Sequence, residues 1–243
     1  ALFELPIVIL YGRNPVREAL RGPRRVGRVW ATQAAEKEQW LRELAAGIEI
    51  SRATPDELAS LAGPGDHQGV AAETAEYQYA DAKQLLRPDD ALVLVLDEIQ
   101  DPHNLGALAR VAESVGATGM VIADRRSAEV TPSAAKSSAG AIEHLQIARV
   151  GNINDYLVIA KQQGSWVYGA AADGDMAYDQ PDYSGKVVMV VGSEGKGMRP
   201  KVAKNCDALV SIPQRGKVDS LNVSTATAVL LYAVLQGRMQ KKD

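Results

Sequence analysis

Short apolar runs alternate with amphipathic stretches along most of the chain, and this alternation predicts strands and helices in turn. In the second half, six apolar runs have the length of buried strands, at 91–97, 119–123, 144–149, 165–170, 186–191 and 208–212. Helical patterns separate most of them, at 104–115, 133–141, 152–163 and 199–205, and another at 222–238 closes the sequence. Strands that alternate with helices are typical of an α/β fold with a mostly parallel sheet.

The first segment, at 7–72, shows the same alternation on a smaller scale. Strands are predicted at 8–10, 26–30 and 48–51, and helices at 14–20 with Asn14 as cap, at 35–46 and at 54–62 with Thr54 as cap and Pro55 at the first position. Between 74 and 90 the periodicity fades, which indicates a linker. The predicted organisation is a small domain at 1–73, a linker at 74–90 and a larger domain at 91–243.

The composition excludes several classes of protein. A hydrophobic content of 46% and a charged content of 23% are ordinary for a globular protein, and no apolar run is long enough to cross a bilayer. The single cysteine, Cys206, rules out an internal disulfide, and three dispersed histidines argue against a zinc site. We therefore expect a cytoplasmic protein with no membrane segment and no metal.

The charge is unevenly distributed. A net charge of −3 argues against nucleic-acid binding by bulk charge, yet six arginines and only one acid, Glu18, lie between Tyr11 and Arg28. Such a strip can contact phosphates, and a solvated helix face is the alternative interpretation. The candidate RNA contacts are Arg13, Arg17, Arg24 and Arg25.

Three loops in the second half carry the candidate chemistry. They read DPHNLGALAR (101–110), VVGSEGKGM (190–198) and SIPQRGKVDSLNVSTA (211–226), here called the first, second and third motif, and each follows a predicted strand. Ligands bind at the carboxyl ends of parallel strands, so three such loops predict one composite site, with three ordinary turns as the alternative. Met198 stands where a P-loop has its lysine, and no GxGxxG fingerprint is present. Glycine-rich backbone suits a flat, neutral ligand such as adenine, lined by Gly192, Ile212 and Leu221.

Two further features leave alternatives open. Arg110 has apolar neighbours on a helix that Asn104 would cap, so it is expected to point into the site or to form an ion pair, for which Glu194 is one partner. The last helix is apolar nearly all round, which favours burial in a homodimer or in the core of a monomer.

The three motifs, in this order, resemble those of the SpoU branch of the SPOUT RNA methyltransferases. The first segment is similar to the L30e-like RNA-binding domain of part of this family, through YGRNPVREAL near its start and HQGVAAE at 67–73. The likeness covers nearly the whole chain and is greatest to RlmB-type bacterial 23S rRNA guanosine 2′-O-methyltransferases.

The resemblance implies a trefoil knot in the larger domain, S-adenosylmethionine as cofactor, an obligate homodimer and methyl transfer to a ribose 2′-hydroxyl of 23S rRNA. It assigns cofactor contacts to six residues: Gly192, Ser193, Gly197, Ile212, Leu221 and Ala170. At the position of Ala170, related sequences often carry threonine. Asn104 and Arg110 match residues beside the ribose, and the polar residues Glu194, Ser220 and Asn222 match others around the site.

Two rival functions stay open at this stage. One is 2′-O-methylation of tRNA or of another rRNA position by the same fold. The other is a catalytically silent RNA-binding factor in ribosome assembly. The presence of all five polar site residues argues against the silent factor.

Overall fold

The amino-terminal elements form a four-stranded sheet with helices beside it. In the computed structural model, which describes residues 6–63, 66–217 and 220–240, these elements are β1 (Ile7–Tyr11), α1 (Arg13–Arg21), β2 (Val26–Ala31), α2 (Gln39–Leu44), β3 (Glu49–Arg52), α3 (Pro55–Ala62) and β4 (Val70–Ala75). The strand order is β1-β4-β2-β3, with β4 antiparallel to both neighbours and β2 parallel to β3.

The local signals explain most of these elements. Thr54 caps α3 as predicted, in a capping box with Glu57 and with Pro55 at the first position. Asn14 does not cap α1, because that helix begins at Arg13 after Gly12, whose φ of 94° favours glycine. The helix predicted at 35–46 is divided into a 3-10 turn at Ala35–Lys37 and α2.

The second half forms a seven-stranded sheet. Its elements are β5 (Leu92–Asp97), α4 (Pro102–Ser114), β6 (Gly119–Ala123), α5 (Pro132–Ser137), β7 (Ile147–Val150), α6 (Ile153–Gln162), β8 (Trp166–Ala170), β9 (Met176–Ala177), β10 (Val187–Gly192), α7 (Pro200–Asn205), β11 (Ala208–Ser211) and α8 (Val223–Gln240). The order is β7-β6-β5-β10-β8-β11-β9, and every pairing between these strands is parallel. The predicted α/β fold with a mostly parallel sheet is confirmed, and the trefoil knot stays a prediction.

The core explains why the strands read as continuous apolar runs. All six residues of β5 and all six of β10 are buried, as expected for parallel strands covered on both faces. The helix α8 packs against α4 and β10 and buries Leu230, Leu231 and Val234. Its Tyr232 and Met239 are 50% and 63% exposed, so one face of this apolar helix is uncovered in the single chain.

The chain divides into two compact units whose limits differ from the predicted domains. Of the described residues, the amino-terminal unit contains those up to 78 together with 129–144, and the carboxyl-terminal unit contains 79–128 and those from 145 onward. The segment 129–144 joins the amino-terminal unit because Ala135 is buried with Leu10 and Ala19. Gly140 allows close contact there, since an added Cβ would lie 2.7 Å from the side chain of Glu18.

The predicted linker at 74–90 also differs from what the structure shows. Strand β4 continues to Ala75, and Leu85 and Leu86 are fully buried in the core of the carboxyl-terminal unit with Val93 and Val121. Two leucines are too few to show helical or strand periodicity, so the sequence pattern did not reveal this packing. The residues from 79 to 90 are therefore part of a folded unit.

Candidate active site

The three motifs follow the carboxyl ends of three strands in one parallel sheet. The first motif comes after β5, which ends at Asp97, the second after β10, which ends at Gly192, and the third after β11, which ends at Ser211. Because all these strands run in the same direction, their loops emerge at one edge, here called the carboxyl edge. The three loops therefore lie at one edge, and the composite site formed by all three stays a prediction.

A cavity of about 380 Å³ opens between the second and third motifs. Eight predicted site residues line it, namely Ala170, Gly192, Ser193, Glu194, Gly197, Ile212, Ser220 and Leu221. Its floor is apolar, formed by Val191, Val210 and Leu230. A pocket of this size, with an apolar floor and a polar rim, suits a nucleoside-sized ligand.

The glycines of the second motif are required by a close backbone approach. A Cβ on Gly192 would overlap the backbone of Gly197 and Met198, so the loop folds directly over the strand end. The loop is closed by a hydrogen bond in which Gly197 N donates to Ser193 O over 2.8 Å. Gly195 and Gly197 have φ values of 76° and 66°, which side chains rarely adopt.

A buried ion pair holds the end of this loop. The carboxylate of Asp97 is fully buried; its Oδ2 accepts from the backbone N of Arg199 at 2.7 Å, and its Oδ1 accepts from Nε of Arg199 at 2.8 Å. Nη2 of Arg199 also lies 2.7 Å from Oδ1, so two guanidinium nitrogens contact the same carboxylate oxygen. Asp97 also pairs with Gly192 in the parallel ladder, so it contacts both ends of the second-motif loop. The sequence analysis missed this pair, although an acid at the end of an apolar strand was a usable signal.

The second and third motifs meet at the beginning of α8. Nδ2 of Asn222 donates to Oε1 of Glu194, and the backbone N of Val223 donates to the same oxygen at 3.3 Å. Oδ1 of Asn222 accepts from the backbone N of Ser224 at 2.9 Å, as an N-cap does. The proposed pairing of Glu194 with Arg110 is absent, because the carboxylate of Glu194 is bound to this helix terminus instead.

The first motif stands apart from the cavity in the single chain. The cap of α4 is Asp101, whose Oδ1 accepts from His103 N at 2.9 Å, so the predicted cap at Asn104 is wrong. Asn104 is half-buried in the first turn, and Arg110 is exposed, without an ion pair among the described residues. Neither residue lines the cavity, and both lie on the helix that packs against α8.

The arginine strip of the amino-terminal unit is largely engaged with acids. Arg13 pairs with Glu38, and Arg17 lies 3.1 Å from Glu18. Arg24 lies 2.9 Å from Glu143, and these side chains are only 6% and 1% exposed. Arg24 is therefore not available to a phosphate, whereas Arg25 is exposed. The sequence analysis missed Glu143, which lies more than a hundred residues from Arg24 in the sequence.

Comparison with known proteins identifies the family. The SpoU rRNA Methylase family matches residues 91–232, more than half of the chain, and the family described as RNA 2'-O ribose methyltransferase substrate binding matches residues 9–80. The chain belongs to the SpoU rRNA methylase family. The predicted SpoU branch and the class of RNA methyltransferase are thereby confirmed, whereas the RlmB-type specificity stays a prediction.

Individual relatives agree with this assignment. YacO of Bacillus subtilis (strain 168), assigned to the TrmH family of tRNA/rRNA methyltransferases, is 39% identical over 93% of this chain and 94% of its own length. The SpoU methyltransferase AviRb from Streptomyces viridochromogenes, in complex with the cofactor AdoMet, shares the fold with a TM-score of 0.81 at 24% identity, over 95% of this chain and 90% of its own. The A. aeolicus TrmH/SpoU tRNA modifying enzyme matches with a TM-score of 0.58 at 25% identity, over 66% of this chain and 82% of its own.

The described residues contain neither a candidate membrane span nor a candidate metal site. No helix in residues 6–63, 66–217 and 220–240 is long and apolar enough to span a membrane. In the same residues, no group of three or more histidine, cysteine, aspartate or glutamate side chains could hold a metal ion.

Proposed function

We propose that this SpoU family member uses S-adenosylmethionine to methylate a ribose 2′-hydroxyl of structured RNA, with a guanosine of 23S rRNA as the substrate. The observation that carries the proposal is the cavity at the carboxyl edge, where the second and third motifs come together. The residues predicted to contact the cofactor, from Ala170 to Leu221, all lie around this one cavity.

The cavity fits the cofactor in shape and chemistry. Backbone at Gly192, Ile212 and Leu221 would hold its adenine and ribose through neutral hydrogen bonds, while Leu230 and Val210 supply apolar contacts. Glycine at 192 is needed because the returning loop leaves no space for a side chain. When bound, S-adenosylmethionine supplies an electrophilic methyl group.

The chain itself has to orient the hydroxyl and assist the loss of its proton. Arg110 is exposed, and a guanidinium offers five hydrogen-bond donors and no acceptor, so it acts by positioning the ribose and an adjacent phosphate rather than as a base. Glu194 and Asn222 hold the second motif against α8 and thereby fix the rim of the cavity. Ser220 lines the same rim and is a candidate contact for the substrate.

A homodimer is part of this proposal. Tyr232 and Met239 lie seven residues apart on α8, so they share a face of the helix, and both are at least half exposed. A second copy covering this face would bury an apolar stripe beside α4, which carries Asn104 and Arg110. Light scattering on the purified protein would show a dimer, and Tyr232→Glu would shift it towards the monomer; a monomeric wild-type protein contradicts this part.

The choice of rRNA over tRNA rests on the amino-terminal unit. The A. aeolicus tRNA modifying enzyme matches only 66% of this chain, whereas an AdoMet-bound rRNA methyltransferase from Sinorhizobium meliloti matches 95%. Residues 9–80 moreover match a substrate-binding family described for RNA 2'-O ribose methyltransferases. A separate RNA-binding unit of this kind favours a large structured substrate.

The first experiment is methyl transfer from labelled S-adenosylmethionine to unmodified large-subunit rRNA, with tRNA in parallel. The label is mapped by resistance to alkaline cleavage, because a 2′-O-methyl group removes the hydroxyl that attacks the backbone. Arg110→Lys should retain RNA binding and lose most of the rate, since lysine keeps the charge and loses the planar fork. Unchanged turnover in that variant contradicts the role of Arg110. Tight RNA binding with no transfer to either RNA would favour the silent assembly factor.

A further inference from the structure

The basic side chains of the two units differ in whether acids neutralise them. In the amino-terminal unit, the strip first identified by sequence is engaged: Arg13 with Glu38, and Arg28 with Glu49 at 2.9 Å. An arginine that already has a carboxylate partner must give up that pairing to bind a phosphate. A strip of this kind therefore attracts RNA less than its count of arginines indicates.

The carboxyl edge shows the opposite pattern, because several of its acids are already used inside the protein. Asp97 binds Arg199, Glu98 lies 3.6 Å from Arg126, and Asp124 lies 3.4 Å from Arg149. In the same way Asp101 caps α4 and Glu194 binds the beginning of α8. Asp97, Glu98 and Asp124 are thus each paired with an arginine. Asp101 and Glu194 keep their charge, which is partly offset by the backbone N–H groups at the beginnings of α4 and α8.

Four basic side chains at this edge have no such partner. Within the described ranges, no ion pair or hydrogen bond engages the exposed side chains of Arg125, Lys196, Arg215 and Lys217. Arg125 follows β6, Lys196 lies in the second motif, and Arg215 and Lys217 lie in the third. The strands β6 and β11 are four places apart in the sheet, which is about 19 Å at a strand spacing of about 4.8 Å. Unpaired charge thus extends along both sides of the cavity mouth.

We propose that Arg125, Lys196, Arg215 and Lys217 form a phosphate-binding surface that holds the RNA backbone across the mouth of the cavity. This proposal rests on the proposed function. It assigns most of the electrostatic attraction for RNA to the carboxyl-terminal unit rather than to the arginine strip. Unpaired, exposed guanidinium and ammonium groups bind phosphates at little cost, since no internal ion pair is broken. The loop after β8 is the exception at this edge, since Asp173 and Asp175 are exposed there. The RNA backbone should therefore pass beside that loop rather than over it.

The test compares two triple variants that remove equal charge. The edge variant is Arg125→Gln, Arg215→Gln and Lys217→Gln, and the strip variant is Arg13→Gln, Arg17→Gln and Arg28→Gln. Binding of a fluorescently labelled hairpin transcript of large-subunit rRNA is measured by anisotropy over a range of salt concentrations. The slope of the logarithm of the binding constant against the logarithm of the salt concentration is negative, and loss of three phosphate contacts should make it less steep by about 2 to 3. At about 0.15 M salt, binding should weaken on the order of 50-fold. The strip variant should change less than about threefold, because the acids beside Arg13, Arg17 and Arg28 already offset their charge.

Two further measurements separate this surface from a fault in folding or in the active site. Both variants should keep the melting temperature and the S-adenosylmethionine affinity of the wild type, because none of the six residues lines the cavity. Asp173→Asn with Asp175→Asn should change RNA affinity in the opposite direction, strengthening it severalfold.

The proposal is overturned if the edge variant keeps its salt slope, or if the strip variant alone loses affinity. Failure of methyl transfer in the wild-type protein would instead contradict the proposed function, and it would leave the binding comparison intact.

Discussion

Removing Arg199 should destabilise the carboxyl-terminal unit more than neutralising its partner Asp97. The side chain of Arg199 is 41% exposed and that of Asp97 is fully buried. Removing the partner therefore destabilises the protein more when the remaining charge is that of Asp97. In Asp97→Asn the guanidinium can turn to water. In Arg199→Met the buried carboxylate keeps only the backbone N of residue 199 as a donor, at 2.7 Å.

The magnitudes follow from this asymmetry. Breaking a buried pair so that a charge stays buried costs about 3–5 kcal/mol, and we expect Arg199→Met to lie in that range. Asp97→Asn retains an oxygen acceptor and leaves a solvated cation, so about 1.5–3 kcal/mol is expected, as for the loss of a hydrogen bond to a charged group. For a unit of this size, each kcal/mol corresponds to roughly 2–4 °C in melting temperature.

Urea denaturation monitored by circular dichroism would measure both free energies of unfolding, with Arg126→Met as the matched control. Arg126 is another arginine at the carboxyl edge, 76% exposed and 3.6 Å from Glu98, so its removal should cost less than about 1 kcal/mol. The double variant Asp97→Asn/Arg199→Met should be more stable than Arg199→Met alone, because it no longer holds an unpaired buried charge. Equal losses in the two single variants would refute the reasoning.

Three further predictions concern other positions. Gly192→Ala should abolish S-adenosylmethionine binding by calorimetry, because its methyl group overlaps the backbone of Gly197, whereas Gly151→Ala should bind normally; near-normal affinity in the first variant would count against the close approach. Burial, and to a lesser extent the charge of Asp207, raises the pKa of Cys206 to about 12, so roughly one thiol in ten thousand is ionised at about pH 8. Iodoacetamide should therefore react with Cys206 far more slowly than with free cysteine, and an equal rate would contradict this. Burial raises the pKa of Glu143 despite Arg24, so the folded state binds this proton more tightly than the unfolded state does. The free energy of unfolding of the wild type, relative to Glu143→Gln, should therefore fall as pH rises from the ordinary carboxyl range through the raised pKa. A difference between the two free energies that does not change with pH in urea denaturation would argue against it.

Local patterns in the sequence were sufficient for the elements of the larger sheet. Six predicted strands correspond to β5, β6, β7, β8, β10 and β11, because strands buried on both faces appear as uninterrupted apolar runs. The two-residue strand β9 was missed, since Met176–Ala177 is too short to form a pattern. The placement of the three motifs at one edge followed from the parallel direction alone, and so did the prediction that they share a site. The family resemblance rested on these same residues.

Tertiary structure decided which charges remain available, and this changes where RNA is expected to bind. Nothing near Arg24 in sequence indicates that Glu143 would bury it, and nothing near Arg199 points to Asp97, because ion pairs form between residues that the fold brings together. For the same reason the segment 129–144 joined the amino-terminal unit, although its periodicity resembled that of its sequence neighbours. Helical and strand periods report which side of an element is buried, and they carry no information about the partner. The sequence by itself therefore determined most of the elements, the two motifs that line the cavity and the family, and only the packed chain decided which arginines and lysines can face a phosphate.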